Sequence, residues 1–298
     1  MNRMPSPART VAPEDLDRLL HEAMADDSLE LPPPPQVVTE ILRLTRGDGV
    51  ESDSADASTS ELARLIQRDI ALAGQIMRVA NSALYARRTP VTTLPQAIAW
   101  LGMREIRHIA FAVAVQGQVF ESACFRKEMA ELWRESVHTA LFAQEIARLK
   151  QRNVGSAYLC GLLHRAGMAV LLSRVGSMAI RQSLSPDPHE VLRRAERHEA
   201  RVGTHLAIAW GLPPAVADSI SHWRDPPAAQ VARMEVMEVA LARQICGELR
   251  TPGAGGELPA SMLGPVSRWM EELAIYPADL FPLMAQRAAI YATAESFT

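Results

Sequence analysis

The chain predicts an all-α fold, on three observations. Apolar residues recur at helical spacing through nearly every segment, no window alternates apolar and polar residues between hairpin turns, and helix starts and stops are marked by Pro, Ser, Thr, Asp and Gly. With 298 residues, 48% of them hydrophobic and 22% charged, there is enough apolar surface for a sizeable core in one large domain or two coupled ones.

The first half reads as short helices. Pro13, Glu14 and Asp15 suit a first turn leading into Leu16, Leu19, Leu20 and Ala23, because carboxylates are favoured at the positive end of the helix dipole. Pro32 to Pro35 fix an extended entry to a helix through Val38, Ile41 and Leu42 that lasts until Gly47. Gly47 to Thr59, rich in Gly, Ser and Asp, reads as a mobile surface insertion with no chemical role. Ser58 with Glu61 makes a capping box before Leu62, Leu65 and Ile66, and Asp69 caps the next helix through Leu72, Ala73, Ile76, Val79 and Ala80. Asn81 and Ser82, at that helix's end before Tyr85, can cap exposed backbone groups or bond a partner segment, and capping is the expected use. Thr93 with Gln96 repeats the box before Ile98 and Leu101; Gly102 ends that helix, and Ile106, Ile109, Ala110 and Val113 start another.

The second half reads as longer helices. From about Arg126 to Lys150, a stripe of Met129, Leu132, Ser136, Ala140, Ala143 and Ala147 has many small members and so permits close approach of a neighbour; Glu135 and His138 flank it. Ser156 to Leu172 reads as one nearly continuous apolar helix at the centre of a bundle, with His164 and Arg165 in its middle. A loop at Ser185 to Pro188 leads to a helix through Leu192 and Ala195, then another through Val202, Leu206 and Trp210 that Gly211 and Pro213 end. The short helix Pro213 to Trp223 places Asp218 one turn before His222, so that a carboxylate orients an imidazole. Arg224 to Pro227 reads as a hinge, and Val231 to Leu249 and Met262 to Ala292 as helices separated by the Gly-rich Pro252 to Gly256. Met234, Met237, Met262 and Met270 are expected in the core.

Charge and motif content exclude several classes. A formal net charge of −3 gives no bulk attraction to nucleic acid or anionic lipid; the edge carrying Arg87, Arg88, Arg104 and Arg107 could attract an acidic protein or a nucleotide phosphate, but a solvated face is the expected reading. Cys124, Cys160 and Cys246 are scattered without CxxC spacing, which fits neither a disulfide framework nor a cysteine-rich zinc site and points to a reducing cytoplasm. The N-terminus has no apolar signal core, and apolar runs such as Ile109 to Val115 fall short of a membrane span. There is no Gly-rich phosphate loop with a following lysine and no nucleophile elbow.

Several stretches carry a family resemblance: Leu31 to Pro35, Ala80-Asn81-Ser82-Ala83-Leu84-Tyr85, Ala97-Ile98-Ala99-Trp100-Leu101-Gly102 with Glu105-Ile106-Arg107, Gly161-Leu162-Leu163-His164, and Trp210-Gly211-Leu212-Pro213. In order and separation they resemble the HDOD family, the HD-related output domain, a bacterial signalling module related to the HD metal-dependent phosphohydrolases. The resemblance covers residues 28–225 and implies a helical subdomain at 28–120 and a degenerate HD-like bundle at 121–225, with an N-terminal arm at 1–27 and a helical extension at 226–298. It further implies a stand-alone cytoplasmic regulator that contacts signalling proteins, without enzymatic activity and without a cofactor.

An HD-type enzyme gathers imidazoles and carboxylates around metal, leaving one coordination position open for a nucleophilic water. By motif position the resemblance places Glu135 where the first histidine stands, keeps His164, puts Arg165 where the paired aspartate stands and Glu199 where a later histidine stands, and sets His222 at a common terminal histidine. Arginine remains protonated and cannot ligate metal. The expectation is an ion-pair network in which Arg165 occupies the old cation position and satisfies Glu135, Glu199 or both. Two alternatives stay open. One is a residual phosphohydrolase acting on a nucleotide or cyclic dinucleotide, with Glu135, Glu199 and His138 as further ligands. The other is a nucleotide or small-ligand sensor without turnover, using arginine for phosphate.

Overall fold

Helix starts fall where the chain writes its caps. The computed structural model describes residues 9–10, 13–24, 31–46, 61–248 and 269–297. Among them α1 (Pro13–Met24), α2 (Gln36–Arg46), α3 (61–68), α4 (Ile70–Ala80) and α5 (Leu94–Val119) form the first half. The Asp69 side chain accepts from the Leu72 N–H, as expected of an N-cap. Only half of the Thr93 box forms. Thr93 accepts from the Gln96 N–H at 3.4 Å, but the Gln96 side chain turns to the Thr92 N–H at 2.9 Å. Gly102, at φ 79°, kinks α5 where the sequence puts a helix boundary; a positive φ is strained for residues with a side chain. The expected insertion at Gly47 to Thr59, the Ser58 cap, Met262 and the Pro252 to Gly256 linker lie outside the described residues.

The second half comprises α6 (Arg126–Leu149), α7 (Val154–Leu163), α8 (Ala166–Arg181), α9 (Pro188–Ala209), α10 (Pro214–His222), α11 (Arg233–Glu248), α12 (described over 269–272) and α13 (Phe281–Glu295). Helix α6 is central, packed against α7, α11 and α13, while α8 pairs with α9. Its small-residue stripe does what its composition allows: a Cβ on Gly161 of α7 would lie 2.7 Å from the Ala140 Cα. Met237 and Met270 are buried, but Met234 is 38% exposed.

Four expectations change. The helix expected from Met262 to Ala292 is interrupted at 273–280, where Ala274 has φ 54° and Pro277 opens a 3-10 turn before α13. The apolar helix expected from Ser156 to Leu172 breaks at His164-Arg165, where Arg165 has φ −116° and ψ 17°. The break lets α7 close on α6 through Gly161 while α8 closes on α9 through Gly167, whose added Cβ would sit 1.9 Å from the Glu199 carbonyl oxygen. The two helices expected between Leu192 and Trp210 are one, α9, because no Gly or Pro separates Ala195 from Val202. The loop at Ser185 gains a two-residue parallel pairing of Leu184–Ser185 with Arg9–Thr10, a small departure from the all-α pattern.

The segment Val154–Arg181 is apolar and long enough by composition to cross a membrane, more than the sequence reading allowed. Its apolar window is 72% buried inside the protein, the signature of a core segment.

Candidate functional site

Four elements converge on one cluster of charge. Glu135 comes from α6, His164 and Arg165 from the α7–α8 junction, and Glu199 from α9. The Arg165 Nη1 lies 3.4 Å from Glu135 Oε2 and its Nη2 lies 3.3 Å from Glu199 Oε2, with the Arg165 side chain only 13% exposed. At that burial an unpaired guanidinium would be costly, so the two carboxylates make the position tenable.

Two further arginines complete the network. Arg224, just after α10, donates to Glu199 Oε1, and Arg243 of α11 lies 3.2 Å from Glu135 Oε2. Each carboxylate therefore faces two guanidiniums. Neither arginine was singled out for this role from the sequence, although Arg243 carries a signal: it falls on a helical face with buried Val236, Val239, Ala240 and Cys246.

His164 sits at the inner edge of the cluster. Its Nδ1 donates to the Gly161 carbonyl at 2.7 Å, since a carbonyl only accepts, which leaves Nε2 as the bare lone pair of a neutral ring. Burial, then the positive charge of Arg243, holds its pKa well below the usual histidine range; Arg165 and Arg224 add to this, and the Gly161 bond opposes it. Nε2 is buried without a hydrogen-bond partner, and the ring meets Trp223 edge-on at 5.1 Å.

His222 serves elsewhere. Its Nδ1 lies 2.8 Å from Asp218 Oδ1, while Asp218 Oδ2 accepts from the Val231 and Ala232 N–H groups at 2.9 and 2.7 Å. The expected carboxylate–imidazole pair exists, and it ties α10 to the chain entering α11. The His138 ring packs against Tyr291 of α13 at 4.3 Å, tilted by 50°.

A second buried polar network joins the two halves of the chain. Glu105 of α5 accepts from the Tyr85 hydroxyl and from Gln144 of α6 at 3.1 Å, with His108 Nδ1 at 3.6 Å. Burial opposes ionisation of Glu105, but these partners, His108 foremost, outweigh it and hold the carboxyl at about 2. His108 in turn stacks on Tyr158 of α7 at 4.8 Å.

The HDOD domain family matches residues 31–226. The chain belongs to this family. An HDOD domain protein of unknown function from Geobacter sulfurreducens shares its fold, with a TM-score of 0.70 at 22% identity, covering 96% of this chain and 99% of that one. A structure from Shewanella amazonensis SB2B, provisionally named a phosphohydrolase, gives a TM-score of 0.65 at 20% identity over 94% of this chain and 98% of its own. One from Marinobacter aquaeolei VT8, provisionally named a signal transduction protein, gives 0.67 at 22% identity over 97% of this chain and 67% of its own. An uncharacterized protein of Treponema pallidum (strain Nichols) is 26% identical over 239 residues, 77% of this chain and 45% of that protein, so the chain spans less than half of that relative's length.

The donor set in this HDOD chain does not fit the metal of HD enzymes. Among the described residues no three His, Cys, Asp or Glu side chains group as ligands. Glu135 and Glu199 are bonded to guanidiniums, whose fixed charge opposes a divalent cation.

Proposed function

We propose that this HDOD chain is a non-enzymatic regulator or adaptor of bacterial signal transduction that works in the cytoplasm through contacts with signalling proteins. One observation carries the reading: the Arg165 guanidinium is held between Glu135 and Glu199. A guanidinium supplies positive charge, but it has no open coordination position at which a water becomes a nucleophile. The cluster therefore acts as an internal clasp joining α6, the α7–α8 turn and α9.

The test pairs metal analysis with turnover. Protein incubated with manganese, iron, magnesium or zinc and then dialysed is expected to retain less than one equivalent, and to leave nucleotides and cyclic dinucleotides intact. Capture from a bacterial lysate is expected to return a signalling protein. The bare Nε2 of His164 favours the alternative of a residual phosphohydrolase. Metal-dependent hydrolysis that disappears in His164→Ala would establish that alternative and overturn the adaptor reading.

A further inference from the structure

A separate group of arginines lies along α8. Arg174 has a buried Nη1 with no hydrogen-bond partner, and among the described residues no carboxylate pairs with Arg174 or Arg181. Burying a guanidinium N–H without an acceptor is unfavourable, so Arg174 has unused capacity for an acceptor. Arg174, Arg181, Ser173 and Gln118 line a cavity of about 240 Å³.

That cavity meets a second, of about 630 Å³, at Ser173 and Ser177. Phe120, Met129 and Trp133 line the second cavity together with Arg126, and Glu121 is the sole carboxylate among the lining residues of the two. Trp133 is 1% exposed, yet its Nε1–H has no partner. The Phe120 and Trp133 rings lie 5.0 Å apart. A cationic chamber thus adjoins an aromatic one.

We propose that the joined cavities bind a phosphate ester with an aromatic body, a 5′-nucleotide being the common kind. The phosphate sits against Arg174 and Arg181, whose N–H groups suit its oxygens, with the Ser173 hydroxyl as a further donor. The ring lies against the apolar wall formed by Phe120, Met129 and Trp133. The site is independent of the Arg165 clasp and uses different residues.

Calorimetry on the full chain with AMP, GMP, CMP, UMP, their nucleosides and inorganic phosphate tests it. At least one nucleotide is expected to bind tenfold or more tightly than both its nucleoside and inorganic phosphate. Arg174→Gln and Arg181→Gln should each weaken that binding by roughly tenfold or more, the loss expected for a charge-assisted hydrogen bond. Arg181 is exposed, so its variant keeps the fold, whereas Arg165→Met should retain full nucleotide affinity. The proposal is overturned if no nucleotide binds at millimolar concentration, if inorganic phosphate binds as tightly as any nucleotide, or if Arg181→Gln binds unchanged.

Discussion

At the scale of the residue, Arg165 is the informative position. Arg165→Met removes the shared guanidinium but leaves Arg243 on Glu135 and Arg224 on Glu199. Each carboxylate keeps at least one guanidinium partner, so the expected loss is about 1–3 kcal/mol in urea unfolding, below the 3–5 kcal/mol of a buried charge left alone. Two other groups set the pH dependence. His164 stays neutral when folded, while in the unfolded chain it takes up a proton below about 6.5, so its contribution to stability falls as pH drops through that value. Glu238 has the opposite sign. Burial raises its carboxyl to about 7 despite Arg152 at 3.2 Å, so the folded chain holds a proton that the unfolded chain has lost, and stability falls as pH rises from about 4.5 to 7. Denaturation curves across pH 4–8 are expected to flatten at the acid end in His164→Asn and at the neutral end in Glu238→Gln. An unchanged slope in either variant would remove that group from the account.

At the scale of the element, backbone contact rather than side-chain burial sets helix positions. A Cβ at Gly167 would strike the Glu199 carbonyl oxygen and lie 2.6 Å from the Gly203 nitrogen, atoms that cannot move without shifting α9. Gly167→Ala is therefore expected to cost more than about 4 kcal/mol or to prevent soluble expression, and Gly161→Ala to behave similarly against α6. The same contacts explain what was readable in the chain. Caps, prolines and the Gly102 boundary act through local backbone chemistry, so the sequence displays them directly. The break at His164-Arg165 does not: apolar periodicity continues from Leu162 and Leu163 to Met168 and Val170, and only the packing of α6 and α9 shows that two helices are needed. Likewise Glu135, Arg165 and Glu199 could be paired in advance by charge and motif position. Arg224 and Arg243 enter from elements whose approach is set by the tertiary fold.

At the scale of the whole molecule, the ends of the chain are fastened to its middle. Thr293 of α13 bonds the Ser82 hydroxyl and the Leu84 N–H, both at 3.0 Å, while Trp210 at the end of α9 donates to the Pro32 carbonyl at 2.7 Å. Asn81 caps α4 by donating to the Met77 carbonyl at 2.9 Å, the role read from the sequence, and also exchanges hydrogen bonds with the Val91 backbone at 2.9 and 2.7 Å, whereas Ser82 bonds a partner segment instead of capping. Thr293→Val keeps the shape but leaves the buried Ser82 hydroxyl without its partner, an expected cost of about 1–3 kcal/mol by thermal or urea unfolding. If the halves unfold together, wild type should give one transition by both fluorescence and circular dichroism, and Tyr85→Phe, which loosens the Glu105 network, is expected to separate the two probes. The clasp at Arg165 also bears on the cell's metal supply. Its cation is part of the polypeptide and cannot be withdrawn, so EDTA should leave the melting temperature unchanged, and the fold should persist through metal starvation that would strip a metal-holding relative.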